Sequence, residues 1–194
     1  MIKISQPNSK THIESFNINN TVCAKIKGCK TQGCLKHCYY NKIKRLYPQQ
    51  TPFLNNNLAE TKKKGFVSEM NKVLNDLNIR FFRIHSCGEF YSQTYFNKWV
   101  RIAKANPHII FYTYTKNIEL DVSRPKNFKL YVSDDLNIWT KHYKKFDGVS
   151  RVKNKNEELP KGFELCSNQT EQRLSCLQCK KCFSGNKKVC FNKH

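Results

Sequence analysis

The runs RFFRIH at 80–85 and HIIFYTYT at 108–115, joined through SQTYFNKWVRIAKANP at 92–107, decide the fold. Both outer runs are rich in aromatic and β-branched side chains, the composition of buried strands. The middle run sets Phe96, Trp99, Val100 and Ala103 at helical spacing behind Ser92, a hydroxyl N-cap, and stops before Pro107. Strand, helix and strand with short joins make a βαβ unit, which predicts a parallel pair and a right-handed crossover. Residues 128–133 (FKLYVS) and 146–152 (FDGVSRV) add two more strand candidates. Upstream, Phe66, Met70, Val73, Leu74 and Leu77 predict one amphipathic helix from Leu58 to Leu77, running through Gly65. Leu35, Tyr39, Ile43 and Leu46 predict another over 35–47, stopped at Pro48. Residues 1–22 read as an irregular or β-rich lead-in. The expected architecture is α/β: a partial parallel βα layer within residues 1–165, then a cysteine-rich tail over 166–194.

The 194 residues suffice for one core plus a small metal-held appendage. Aromatic residues at 12% and charged residues at 25% are a globular composition. No run of 18 apolar residues occurs, which excludes a helical membrane span as the reading. The first residues lack the apolar segment of a signal peptide, so the ten cysteines are expected as reduced thiols in a cytoplasmic protein. A formal net charge of +21 makes nucleic acid the expected partner. The basic residues are spread along the whole chain, and the sequence leaves the oligomeric state open.

Cys176, Cys179 and Cys182 stand at Cys-x2-Cys-x2-Cys spacing. Three thiols that close cannot all pair with one another, but they can converge on one metal. Cys166 is the candidate fourth ligand, with Cys190 and His194 as substitutes. Four thiolates suit tetrahedral zinc or a [4Fe–4S] cluster, and three cysteines at successive two-residue gaps with one remote partner match the iron–sulfur habit better. Cys29, Cys34 and Cys38 form a second candidate group, with Cys23 able to stand in for Cys29. Cys34 and Cys38 are four apart, so a helix over 35–47 would put them on one face.

Between the cysteine groups lies a polar set. Arg83, His85 and Glu89 sit on or just after one expected strand, and Tyr114, Thr115 and Lys116 end the next. The C-terminal ends of neighbouring parallel strands are where such sheets bind ligands. Strand alternation puts Arg83 and His85 on the same side. Arg83, His85, Glu89 and Lys116 are the candidate catalytic residues, Lys116 being able to hold a carboxylate or phosphate. Ser133, Asp134 and Asp135 either close the same site or form a turn. Cys87 is isolated from the other thiols. No phosphate-cradling glycine loop, Ser-His-Asp set or zinc-hydrolase histidine pair is readable.

The three-cysteine motif ending in Cys38-Tyr39-Tyr40, RIHSCGEFYS at 83–92, FYTYTK at 111–116 and the closing cysteines occur in an order that resembles the phage gene-product-88-type family. That family in turn looks like a shortened relative of radical S-adenosylmethionine enzymes. The resemblance implies a partial-barrel fold, a cluster on Cys29, Cys34 and Cys38, and an aromatic, Tyr40, beside the last cysteine. It further implies that Gly88 and Glu89 hold the amino group of S-adenosylmethionine. The spacing here, x4 and x3, differs from the Cys-x3-Cys-x2-Cys of those enzymes. The sequence thus implies one or two [4Fe–4S] clusters, zinc as the alternative metal, and an enzyme acting on nucleic acid or a nucleotide-bearing substrate. The alternative is a non-catalytic, metal-stabilised nucleic-acid-binding module; an electron-transfer or redox-sensing protein is a third reading.

Overall fold

A computed structural model describes residues 1–8, 11–36, 38–185 and 187–193. Among these residues seven strands form one sheet: β1 (Ser15–Phe16), β2 (Phe81–Ile84), β3 (Ile110–Thr115), β4 (Phe128–Ser133), β5 (Gly148–Lys153), β6 (Glu164–Leu165) and β7 (Lys187–Asn192). Every pairing between these strands is parallel, in the order β1-β2-β3-β4-β5-β7-β6, and Ser5 makes an antiparallel bridge to Ser15. The helices are α1 (Lys27–Thr31), α2 (Tyr39–Leu46), α3 (Gln50–Lys62), α4 (Phe66–Leu77), α5 (Gln93–Ala105), α6 (Cys176–Cys179) and α7 (Lys181–Ser184).

The βαβ unit forms as its sequence dictates. Ser92 Oγ accepts the Tyr95 N–H at 3.2 Å and caps α5, and Asn106, just before Pro107, ends it. Phe82 and Ile84 alternate inward beneath α4 and α5 and are fully buried. Trp99 on α5 is the hub of this layer, with ring centroids of Phe16, Phe66, Phe82 and Phe111 at 5.4–6.5 Å. Such edge and offset contacts add about 0.5–1.5 kcal/mol per pair beyond area burial. Asn57, fully buried, donates to the Lys3 and Asn17 carbonyls and ties the lead-in to α3.

Four expectations need correction. The helix over 58–77 is two helices, α3 and α4, parted at Lys63–Gly65. The break is held open by Lys98, whose ammonium donates to the carbonyls of Thr61 and Lys63 at 2.7 and 2.8 Å, groups a continuing helix would have used itself. The helix over 35–47 begins only at Tyr39, behind a 3-10 turn over Cys34–Lys36, so Cys34 and Cys38 do not share a helical face. Arg83 and His85 do not share a side, because His85 takes φ +61 just past the end of β2 and breaks the alternation. Finally, the segment 166–194 is no appendage to the sheet. Its strand β7 lies between β5 and β6, matched to β5 over Lys187–Asn192.

Candidate functional site at the strand ends

The loops that follow β1, β2, β3 and β4 meet at the C-terminal edge of the sheet. Asn17 Oδ1 accepts the N–H groups of Ser86 and Cys87 at 2.6 and 3.0 Å, locking the loop after β1 to the loop after β2. Gly88 is at φ +105, and a Cβ there would fall 2.3 Å from the Ile18 side chain, so only glycine fits between these loops. Glu89 is buried. Its Oε1 accepts from Phe90 N–H and Thr115 Oγ1, and its Oε2 from Lys116 N–H, all at 2.7 Å. Burial raises its carboxyl above the usual range, and these three hydrogen bonds oppose the rise. Lys116 Nζ in turn reaches Asp135 Oδ2 and Ser133 Oγ, both at 2.7 Å.

Helix α1 closes over this edge. A Cβ on Gly28 would sit 1.8 Å from the Lys116 carbonyl oxygen, which measures how closely α1 lies on the end of β3. Gln32 on the same segment donates to Asp134 at 2.9 Å and accepts from Leu136 N–H at 2.9 Å. Asp134, fully buried, also accepts from Ile138 N–H, Trp139 N–H and Tyr143 Oη, and these bonds hold its carboxyl below the usual range against burial. Asp134 is thus the clasp between α1 and β4. Gln32 carries no sequence signal, whereas Asp134 stood in a readable strand-end cluster.

Cys29 and Cys34 are delivered to this edge together. Their thiols are hydrogen-bonded, Cys29 also bonds Cys23, and the Glu89 and Lys116 charges act on the pair. The bond to Cys23, then burial, raises the Cys29 thiol; the bond to Cys29, then burial, raises Cys34. Cys38 is placed elsewhere. It packs with Tyr40, Leu54 and Cys87 and accepts from Asn20 Nδ2 at 3.5 Å. So the structure gathers Cys23, Cys29 and Cys34 where Cys29, Cys34 and Cys38 were expected, and Cys87 has Cys38 as its neighbour. Tyr40 is buried in that adjacent cluster, while the hydroxyl of its neighbour Tyr39 donates to the Ser86 carbonyl at 2.7 Å.

His85 leaves the strand-end site for the helical layer, where Nε2 shares a hydrogen bond with Tyr95 Oη at 2.8 Å. Burial, aided by the Arg83 charge, pushes its imidazole down to about 3. Arg83 projects from the opposite face, over the rings of Tyr112 and Tyr114. On that face Cys166, Cys176, Cys179 and Cys182 line a single pocket, and Tyr114 Oη donates to Cys182 Sγ at 2.8 Å. Burial pushes Cys182 up to about 12. Cys190, buried in β7, is not among the lining residues, and His194 lies outside the described residues.

Among the described residues there is no disulfide, and no group of three or more His, Cys, Asp or Glu side chains is placed as a metal site. The thiols are gathered without being closed on a common point. Their chemistry, sulfur alone in both groups, fits a thiophilic metal or cluster and not a hard cation. No helix among the described residues is long and apolar enough to cross a membrane.

Residues 3–193 match the family model described as Gene product 88. The chain is 25% identical over 191 residues to the Gene 88 protein of Mycobacterium phage L5, covering 84% of this chain and 80% of that protein. No solved structure matches it. On the match to nearly its whole length, the chain belongs to the Gene product 88 family.

Proposed function

We propose that this protein is an iron–sulfur enzyme with a radical-S-adenosylmethionine-like centre, acting on nucleic acid or a nucleotide-bearing substrate. One observation carries the reading: paired thiols, Cys29 and Cys34, sit at the C-terminal edge of a parallel sheet within reach of the Glu89 and Lys116 charges. The strands β1 to β5 add successively in one direction, as in a partial βα barrel, which supports the architecture the reading requires. The net charge of +21 supports a polyanionic substrate.

On this reading Cys29 and Cys34 are cluster ligands, and Cys23, in contact with Cys29, is the third. A [4Fe–4S] cluster held by three thiolates supplies an open iron for the amino and carboxylate groups of S-adenosylmethionine and a source of single electrons. The chain's own residues orient and exclude. Gly88 keeps the loop after β2 pressed on Ile18, and Glu89 pins the backbone of Lys116. Lys116, braced by Asp135 and Ser133, holds a cation at the edge where a carboxylate or phosphate would dock.

A second reading is favoured by the inward engagement of Glu89. A buried carboxylate that accepts three of about four possible hydrogen bonds from its own chain acts as a positioning group, with one acceptor site left on Oε2. Under that reading the chain is a non-catalytic, metal-stabilised module that binds nucleic acid. Anaerobic protein, reduced and given S-adenosylmethionine, separates the two. The enzyme reading expects cofactor cleavage that is abolished in Cys29→Ser and Cys34→Ser. A chain that cleaves nothing, yet is retained on nucleic acid with log affinity falling linearly against log salt, is the binding module.

A further inference from the structure

We propose that Cys166, Cys176, Cys179 and Cys182 form a separate site for one thiophilic metal ion, zinc(II), on the face of the sheet opposite α4 and α5. The inference does not depend on the strand-end chemistry. Cys176 and Cys179 bracket α6 at i, i+3 and share one side of it. Lys180, at φ +54, then reverses the chain so that α7 returns Cys182 toward the same side. Cys166 follows β6, and its neighbour Ser167 ties it to the approach to α6: Leu174 N–H donates to the Ser167 carbonyl at 3.2 Å, and Cys179 Sγ donates to Ser167 Oγ at 3.3 Å. A capping box between Ser175 and Gln178 sets the start of α6 without help from a metal. The frame that presents the thiols is therefore built by the chain itself.

Two further features suit a site that turns anionic when the ion binds. Four thiolates around zinc(II) make a dianion, which a partly buried site must balance. Arg83 answers that need. Its guanidinium lies over Tyr112 and Tyr114, it forms no ion pair with a carboxylate among the described residues, and its Nε is shut from solvent without a hydrogen-bond partner. An arginine is always charged, so one set among tyrosines with no carboxylate beside it favours an anion at its side. Tyr114 Oη already donates to Cys182 Sγ, the kind of outer-sphere hydrogen bond that orients a metal ligand.

One ion needs only the four sulfurs, and the pocket they line holds about 20 Å³, enough for a single water-sized occupant. Each cysteine sulfur turns on one bond, so an ion entering there can draw the four together, and the thiol protons leave to solvent as the metal–sulfur bonds form.

The test uses the full chain, stripped by chelator under reducing conditions and titrated with zinc alone and with cobalt(II) alone. The site predicts one zinc per chain and the intense visible absorption of tetrahedral cobalt thiolate. Both are lost in a Cys176→Ser, Cys179→Ser double variant and kept in Cys190→Ser and Cys29→Ser. Should the double variant fail to fold, alkylation mapping of the unaltered chain decides, because zinc must protect these four thiols. Arg83→Met is expected to weaken zinc binding by about tenfold or more. Zinc uptake untouched by loss of Cys176 and Cys179, equal alkylation with and without zinc, or iron with sulfide bound on these thiols overturns the proposal. Unchanged affinity in Arg83→Met overturns the counter-charge role.

Discussion

The two thiol groups differ in what surrounds them. The first, Cys23, Cys29 and Cys34, lies at the strand ends, hydrogen-bonded within itself and flanked by Glu89, Lys116 and the α1 clasp on Asp134. The second, Cys166, Cys176, Cys179 and Cys182, lines a small pocket on a sheet face, beside Tyr114 and a carboxylate-free Arg83. Loops at the ends of parallel strands can vary without disturbing the core, so groups placed there are free to serve chemistry. The second group connects β6, α6 and α7 to the sheet. On the readings proposed above, reaction falls to the first group and stability to the second.

Removing the clasp breaks the first group while sparing the second. Asp134→Ala strands the donors of Gln32, Trp139 and Tyr143 and is expected to cost about 4 kcal/mol, read by denaturant unfolding. In the same variant Cys29 and Cys34 are expected to alkylate faster, with Cys176 and Cys179 unchanged. The converse is metal removal. Stripping zinc from the tail site should lower stability by about 3 kcal/mol relative to protein in zinc at a hundredfold excess over Kd. The thiols at the strand ends should keep their alkylation rates.

Gly28→Ala sharpens the comparison by about 2 kcal/mol, because a Cβ 1.8 Å from the Lys116 carbonyl forces α1 off the edge. Iron loading should fall and zinc loading should not. The last effect, a slope with pH, comes from His85, outside both groups. Its unfolded imidazole takes a proton near 6.5 and the folded one only at about 3, so the unfolded state binds more protons in between. Stability is then expected to fall by about 1.4 kcal/mol per unit as pH drops below 6.5, a slope that His85→Gln flattens while both metals stay bound.

Much of this arrangement was legible in the chain. Period and capping gave β2, α5 and β3 because Ser92, Trp99 and Pro107 are local signals. Spacing marked the Cys-x2-Cys-x2-Cys run but left Cys166, Cys190 and His194 as alternatives for its partner; Cys166 lines the same pocket as the run. What failed was non-local. Nothing near Gly65 announces that Lys98, far along the chain, will cap the carbonyls at the end of α3. The left-handed turn at His85 defeats an alternation that is sound for a continuing strand. Cys38 was misplaced because a 3-10 turn and a late helix start swing it toward Cys87, and spacing alone could not distinguish that path from a helix.

The central claim is that the two thiol groups hold different inorganic partners. Anaerobic purification of the full chain, with iron, sulfide and zinc counted per chain, tests it most directly. The account expects iron and sulfide that vanish when Cys29 and Cys34 are changed to serine, together with one zinc that vanishes only when Cys176 and Cys179 are changed. Protein free of all three, or metal that survives both pairs of substitutions, contradicts it.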